Sequence, residues 1–453
     1  MKTAWLIGAG FSYEFGLPLV SELTKEIRSL LTPETLRGVN SAARQGHGHP
    51  AALIDEFLLV LQRADLHYEQ IIGWLQTESL RRPRDREHLL KLAGAQQDFV
   101  SRLLLGHHTR SAPLFHLVLP WFRGLEDHLP EGGPLWVFSL NHDVCVEMLG
   151  AELGIDVRCG YGDPPTRLLT STGEERTLDR LTRDTLATGA LDFGPPGRRG
   201  VNLVKLHGSL DVFGHDDLRA YLRVRPTTPT AAGWLAVIES AEADLHALHD
   251  GQRYKVINEI CTRDAAGEIQ FLCKTPVAGT LKFDRQMTYN APVEFIEFFE
   301  RKLDDFETLV VIGYGWGDAH VNRPIEAWLA RRPQARLVVV NRSGLPAAMA
   351  AVADRCEPPT YNDAAEYVSK HRWASFSNVD HLQRRIRLTV RRDPTRMANL
   401  MGGANELKAE VLTMVPSLAG SLRDGMSREE IAAKAPSVET MLETLLARMG
   451  QEG

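Results

Sequence analysis

Four short stretches, each placed after an apolar run, carry residue types able to hold phosphate, sugar hydroxyls or a proton in transit. The first is GAGFSYEFGLP, Gly8 to Pro18. It follows the run Thr3 to Ile7 and precedes a helical pattern with Leu19, Leu23, Ile27 and Leu30 on one face. Glycines at a strand end allow a sharp turn and the close approach of a phosphate, while N–H groups opening the next helix supply hydrogen bonds and a favourable dipole. The stretch departs from the usual dinucleotide fingerprint. G-x-G-x-x-G needs glycine where Tyr13 stands, the next glycine is Gly16, and Glu22 and Glu26 lie inside the expected helix. A tight strand–helix turn with no ligand is the alternative.

The second stretch is SLNHD, Ser139 to Asp143. Asn141 and Asp143 there can bond ribose hydroxyls, and an amide can fix a water without competing as a nucleophile; a helix cap formed by either residue is the alternative. The third is KLHGS, Lys205 to Ser209, where His207 beside a glycine can reach a crevice as a base near neutral pH or serve as an ordinary structural histidine. His142 competes for that role, but an extended strand would turn it away from Asn141 and Asp143. The fourth is GYGWGDAHVN, Gly313 to Asn322. Its glycines and aromatic residues suit a loop packed on a nucleotide, with Asp318 or His320 holding its shape, or a loop with no ligand at all.

The elements that would carry these stretches alternate. Buried strands are expected at Leu135 to Leu140, Val201 to Leu206, Leu309 to Ile312 and Leu337 to Val340, and helices at Val293 to Phe306 and Val321 to Ala330. Polar and glycine residues recurring at strand ends indicate an α/β fold, a Rossmann-like doubly wound parallel sheet with its ligand above the carboxyl ends of the strands. Residues 51–108 show helical spacing with no strand signal, which makes about 37–120 an inserted helical module. The Thr-, Arg-, Gly- and Pro-rich stretch 163–200 reads as surface loops or a small excursion. Beyond Ala374 the pattern turns helical and charged, with basic residues from Arg384 to Arg392, a capping box at Ser427 to Glu430 and a helix over Val438 to Met449.

With 453 residues, two or three units of ordinary size are available. A net charge of -6 gives no long-range attraction to phosphate backbones or anionic membranes, so nucleic acid would be met only through a partner. The amino-terminal apolar stretch is too short for a span and lacks a signal-cleavage pattern, so a cytoplasmic location is expected. Five scattered cysteines fit a reducing compartment, and none forms a C-x-x-C zinc pair, although Cys261 and Cys273 could meet across a hairpin.

The four stretches, in that order and each after an expected strand, resemble the sirtuin family, especially the sirtuin-like domains of bacterial anti-phage defence proteins. The resemblance covers roughly residues 1–345 and implies an NAD-binding catalytic domain, with 346–453 a mostly helical region for assembly or partner docking. It implies diphosphate binding by Gly8, Ala9, Gly10 and Ser12, and ribose and nicotinamide contacts from Asn141 and Asp143. Asn141 would orient a water, and His207 would be the catalytic base. Gly313, Tyr314 and Gly315 would meet the adenine-side ribose and phosphate, and Asn341 the adenosine. The zinc-binding cysteine pairs and the Asp-Phe-Arg segment of deacylating sirtuins are missing here, where Gly16, Leu17 and Pro18 lead to Leu19, Val20 and Ser21.

The expectation is therefore a metal-free NAD hydrolase that releases nicotinamide and ADP-ribose, with NAD as substrate. The alternatives are a protein deacylase or ADP-ribosyltransferase, and a non-catalytic NAD or ADP-ribose sensor. Control is expected through a homo-oligomer or a partner, either a DNA-translocase-type (HerA-like) ATPase or an Argonaute-type protein.

Overall fold

Parallel strands covered on both faces must be apolar through their interior, and TAWLI, TLVVI and RLVVV meet that demand after their first residue. In the computed structural model they lie side by side in a seven-stranded, wholly parallel sheet. Its order is Cys356–Glu357, Arg336–Val340, Thr308–Ile312, Thr3–Ile7, Leu135–Ser139, Val201–Lys205 and Val157–Arg158. The structure describes residues 2–388 except 44–47, 171, 245, 250–251, 280–289, 342–343, 346, 358–360, 378–379, 382–383 and 385–386. The expectations placed on residues 389–453, including the capping box at Ser427 and the helix over Val438 to Met449, lie outside it.

From Thr3–Ile7 the chain builds strands to one side, then returns to the other side at Thr308–Ile312. The order therefore reverses between these two neighbours, and in open α/β sheets a ligand crevice forms at such a reversal. One face of the sheet, with Leu6, Phe138, Val204 and Val311, packs on Phe295, Phe299 and Trp328 of the helices Glu294–Leu303 and Ala319–Arg331. On the other face Trp5 meets the rings of His128 and Tyr367 at 5.0 and 5.8 Å. The sheet is doubly wound, as the residue pattern requires.

Between Ile7 and Leu135 every described element is helical, including Ala51–Leu61, Tyr68–Arg81 and the 26-residue helix Arg86–Ser111. The chain divides into units Met1–Ser369 and Lys370–Gly453, and the first holds the sheet, this helical insertion and a barrel.

Of the two readings of 163–200, surface loops or a small excursion, the structure favours the second, because this stretch enters a barrel. Asp163–Leu169 and Glu175–Thr182 join Val212–His215, Ala220–Val224, Glu259–Arg263 and Ile269–Lys274 in a closed six-stranded antiparallel barrel. Its strands carry many charged residues that are satisfied in pairs, such as Arg176 with Asp244 at 3.0 Å, so a search for apolar runs passes over them. Lys274, 2% exposed at its side chain, ties the barrel to the helical insertion through Asp98 at 2.7 Å. Cys261 and Cys273 do lie on the two strands of one hairpin, opposite Phe271 and Glu259, and all five cysteines are free thiols. No helix among the described residues is long and apolar enough to cross a membrane.

A candidate ligand cavity at the sheet switch point

The four stretches end strands that are neighbours in the sheet, so their loops crowd above one edge. Gly8 donates its N–H to Ile312 O at 3.0 Å and Gly10 to Gly313 O at 2.9 Å. These glycines are needed for each other. A Cβ on Gly10 would lie 2.6 Å from Gly313 Cα, and one on Gly313, whose φ is +64°, would lie 2.5 Å from the Gly10 backbone. A Cβ on Gly315 would meet nothing within 4 Å. Gly313→Ala is therefore expected to cost about 1–3 kcal/mol in urea denaturation through overpacking and a left-handed backbone. Gly315→Ala should stay within about 0.5 kcal/mol of the parent, and equal losses from the two would rule this account out.

Above this contact opens a cavity of about 480 Å³. Of the residues singled out from sequence, Gly8, Ala9, Ser12, Asn141, Asp143, His207, Gly313, Tyr314 and Gly315 border it. Gly10 and Asn341 do not. Gly10 is engaged with Gly313, and Asn341 follows the next strand outward, its amide Oδ1 buried without a hydrogen-bond partner. His142 also borders the cavity; the strand stops at Ser139, so the alternation expected to turn it away does not reach it.

Asn141 is 8% exposed, and its Nδ2 donates to Gly8 O at 2.9 Å and to Ser12 Oγ at 2.8 Å. A carbonyl oxygen can only accept, so the bond to Gly8 sets which way the amide faces and leaves Oδ1 as its acceptor. Asp143 lies just before Val144, the N-cap of the helix Cys145–Leu153, and its Oδ1 accepts from Cys145 N–H at 3.0 Å. Burial pushes its carboxyl pKa up, but the Lys205 and His108 side chains and the Ser12 hydroxyl outweigh burial and hold it below the usual value. Lys205, for which the sequence suggested no role, donates its Nζ to the Asp143 carbonyl.

His207 is 2% exposed, and its Nε2 lies 2.7 Å from Nε2 of His320. One ring must donate and the other accept, so a single proton bridges them. The sequence pattern assigns the shaping of this loop to Asp318 or His320. That task belongs to Tyr314, whose hydroxyl accepts from Asp318 N–H and donates to Asn322 Oδ1, both at 3.0 Å, while Asn322 Nδ2 bonds Trp316 O.

The helical insertion closes the cavity with His67, Tyr68 and Glu69 at the start of Tyr68–Arg81. Burial, then the nearby Glu69 and Asp318 carboxylates, push the Tyr68 phenol well above its usual pKa and keep it neutral. Nothing in the local pattern at 67–69 marked these residues. Deeper, His108 of Arg86–Ser111 is 1% exposed and accepts from Val144 N–H at 3.3 Å.

Burial pushes the His108 pKa down to about 4, with Asp143 opposing and Lys205 assisting. The unfolded chain thus binds this proton near pH 6.5 while the folded one refuses it until about pH 4. Stability is complete above about 6.5 and drains by a few kcal/mol as pH falls to 4. His108→Gln should flatten that slope in denaturation midpoints taken from pH 7 to 4.5; an unchanged slope would assign the loss elsewhere.

Among the described residues, two groups have the donor chemistry of a metal site, His108 with Asp143 and Cys145, and His207 with Asp318 and His320. No protein-family model matches the chain, and no curated protein sequence matches it.

Proposed function

We propose that the chain hydrolyses NAD at the nicotinamide–ribose bond, releasing nicotinamide and ADP-ribose. One observation carries this reading: Asn141 and His207, from different strands, border a single cavity that Gly8, Ala9, Ser12 and Gly313 also border, at the point where strand order reverses. The cavity volume of about 480 Å³ falls within the range of roughly 300–1,000 Å³ common for small-molecule sites.

In this reading the diphosphate lies along Gly8 to Ser12 and the adenosine runs towards Gly313 to Gly315. The orphaned Oδ1 of Asn341 is an acceptor suited to an adenosine donor. The nicotinamide ribose sits between Asn141 and His207. Cleavage builds oxocarbenium character on the ribose, and nicotinamide departs neutral without an acid. Asn141 Oδ1 accepts a hydrogen bond from the attacking water. The His207–His320 pair, holding one bridging proton while neutral, can take the proton that the water or a ribose hydroxyl gives up.

A binding-only role is the second reading, and the commitment of Asn141 Nδ2 and Asp143 Oδ1 to loop contacts favours it. Deacylation stands further off because the chain has no C-x-x-C pair. Unchecked hydrolysis would drain NAD, so control by self-assembly, by an ATPase or by an Argonaute-type partner belongs to the same proposal, as does a role as a defence effector. Incubating the full chain with NAD and following nicotinamide separates the readings. Release with NAD alone supports hydrolysis, release only with an added acyl-peptide points to deacylation, and NAD binding without release indicates a sensor.

A further inference from the structure

We propose that His207, Asp318 and His320 form a binding site for a divalent transition ion of the Zn²⁺ class, and that filling it blocks NAD cleavage. The site itself is independent of the function proposed above; the blocking role rests on it.

The lone pairs of two imidazole nitrogens 2.7 Å apart repel unless something lies between them, and either the hydrogen of a neutral N–H donor or a metal ion meets that need. The third member supplies the negative charge. One ligand atom from each of the three residues lies within 4.8 Å of the others. Asp318 stands at the N-cap of Ala319–Arg331, where a carboxylate ordinarily accepts from the first turn, yet its side chain makes no capping bond. The Asp318 backbone N–H donates to the Tyr314 hydroxyl.

Two histidines and one carboxylate are the donor set of sites that bind Zn²⁺ or Fe²⁺ with coordination positions left open. The cavity beside His207 and Asp318 has room for those positions. Two nitrogens on one tetrahedral ion sit about 3.3 Å apart, given metal–nitrogen bonds of about 2.0–2.1 Å. The rings must therefore part by about 0.6 Å. His207 is fixed at a strand end, whereas half-buried His320 in the first turn of its helix can yield. The other group, His108 with Asp143 and Cys145, is less suited because Val144 N–H occupies His108 Nε2 and Cys145 N–H occupies Asp143 Oδ1. An ion bound to His207 takes the lone pair that would accept a proton, so metal and catalysis compete for the same nitrogen.

Titrating the metal-stripped full chain with Co²⁺, and displacing it with Zn²⁺, reads the site by its visible ligand-field bands without reference to catalysis. One ion per chain is expected. Asp318→Asn and His320→Gln should each weaken binding about tenfold or more, since even outer-shell changes cost that much. His88→Ala, which disrupts the His49–His88 pair elsewhere, should leave affinity unchanged. Circular dichroism checks that each variant is folded. Absence of the bands at millimolar Co²⁺, or an affinity indifferent to both cavity substitutions, or one lost equally in His88→Ala, overturns the site. Nicotinamide release should then fall about tenfold or more when Zn²⁺ saturates the parent chain. In Asp318→Asn, relative to its own metal-free rate, the same fall should need about tenfold more Zn²⁺. A metal-free chain that cleaves no NAD sinks the hydrolase reading and leaves the site standing; cleavage that persists at saturation removes the blocking role alone.

Discussion

His207→Ala is expected to lower nicotinamide release from NAD by about 10²–10⁴-fold, the usual contribution of a positioned base. The loss should fall on kcat more than on KM, because the ring acts on a proton in flight and the diphosphate and adenosine contacts are made by other loops. His207→Gln keeps a polar group beside His320 without a basic nitrogen, so it should be as inactive while better folded. Asn141→Ala is the less clean companion: it also deletes the Nδ2 bonds to Gly8 O and Ser12 Oγ that hold two loops together. Stability and activity should fall together in that variant. A folded His207→Ala protein that binds NAD and releases nicotinamide at the parent rate would end the hydrolase reading.

Arg223→Ala is expected to destabilise the first unit by about 3–5 kcal/mol, the cost of leaving buried charge without its partner. Arg223 Nε lies 2.6 Å from Asp211 Oδ2 and Nη2 lies 3.3 Å from Glu147 Oε1, with Lys205 Nζ 3.5 Å from the other Glu147 oxygen. The guanidinium also stands 4.7 Å from the Trp234 ring centre. None of the four charged side chains is more than 9% exposed, so removal of one cation leaves two carboxylates facing each other in a dry interior. By contrast the Arg225 side chain is 62% exposed beside Asp179, and Arg225→Ala should cost no more than about 1 kcal/mol. Urea denaturation of the two variants tests the contrast, and similar losses would refute it. The network also links the parts of this unit. Arg223 belongs to the barrel, Glu147 to the helix that follows Asn141 and Asp143, and Lys205 to the strand that delivers His207. The barrel is thereby locked to the cavity loops although none of its strands borders the cavity.

The parallel sheet could be read locally because its strands are apolar along their length and each stops at a glycine or a polar residue. Strands at Leu135, Val201, Thr308 and Arg336 fall within about a residue of the expected positions, and the helical character of 51–108 follows from its spacing. The barrel escaped because its strands alternate and carry charges whose partners are distant in sequence, as Arg176 and Asp244 show. His320 escaped for a related reason. Its neighbours suggested a loop, and only the placement of the preceding strand, Thr308–Ile312, three positions from Val201–Lys205 brings it to His207. Tyr68 and Glu69 sit in an ordinary amphipathic helix, and their place in the cavity depends on where the insertion folds back.

Residue order alone thus determined the strands, their polar ends and the candidates Gly8, Asn141, His207 and Gly313, because burial and turn formation are short-range demands on residue type. Strand order, the pairing of His207 with His320, the mutual packing of Gly10 and Gly313, and the buried charges around Arg223 were decided by tertiary structure. Each of these requires groups more than a hundred residues apart, or on separate layers, to meet, and no local preference encodes that meeting.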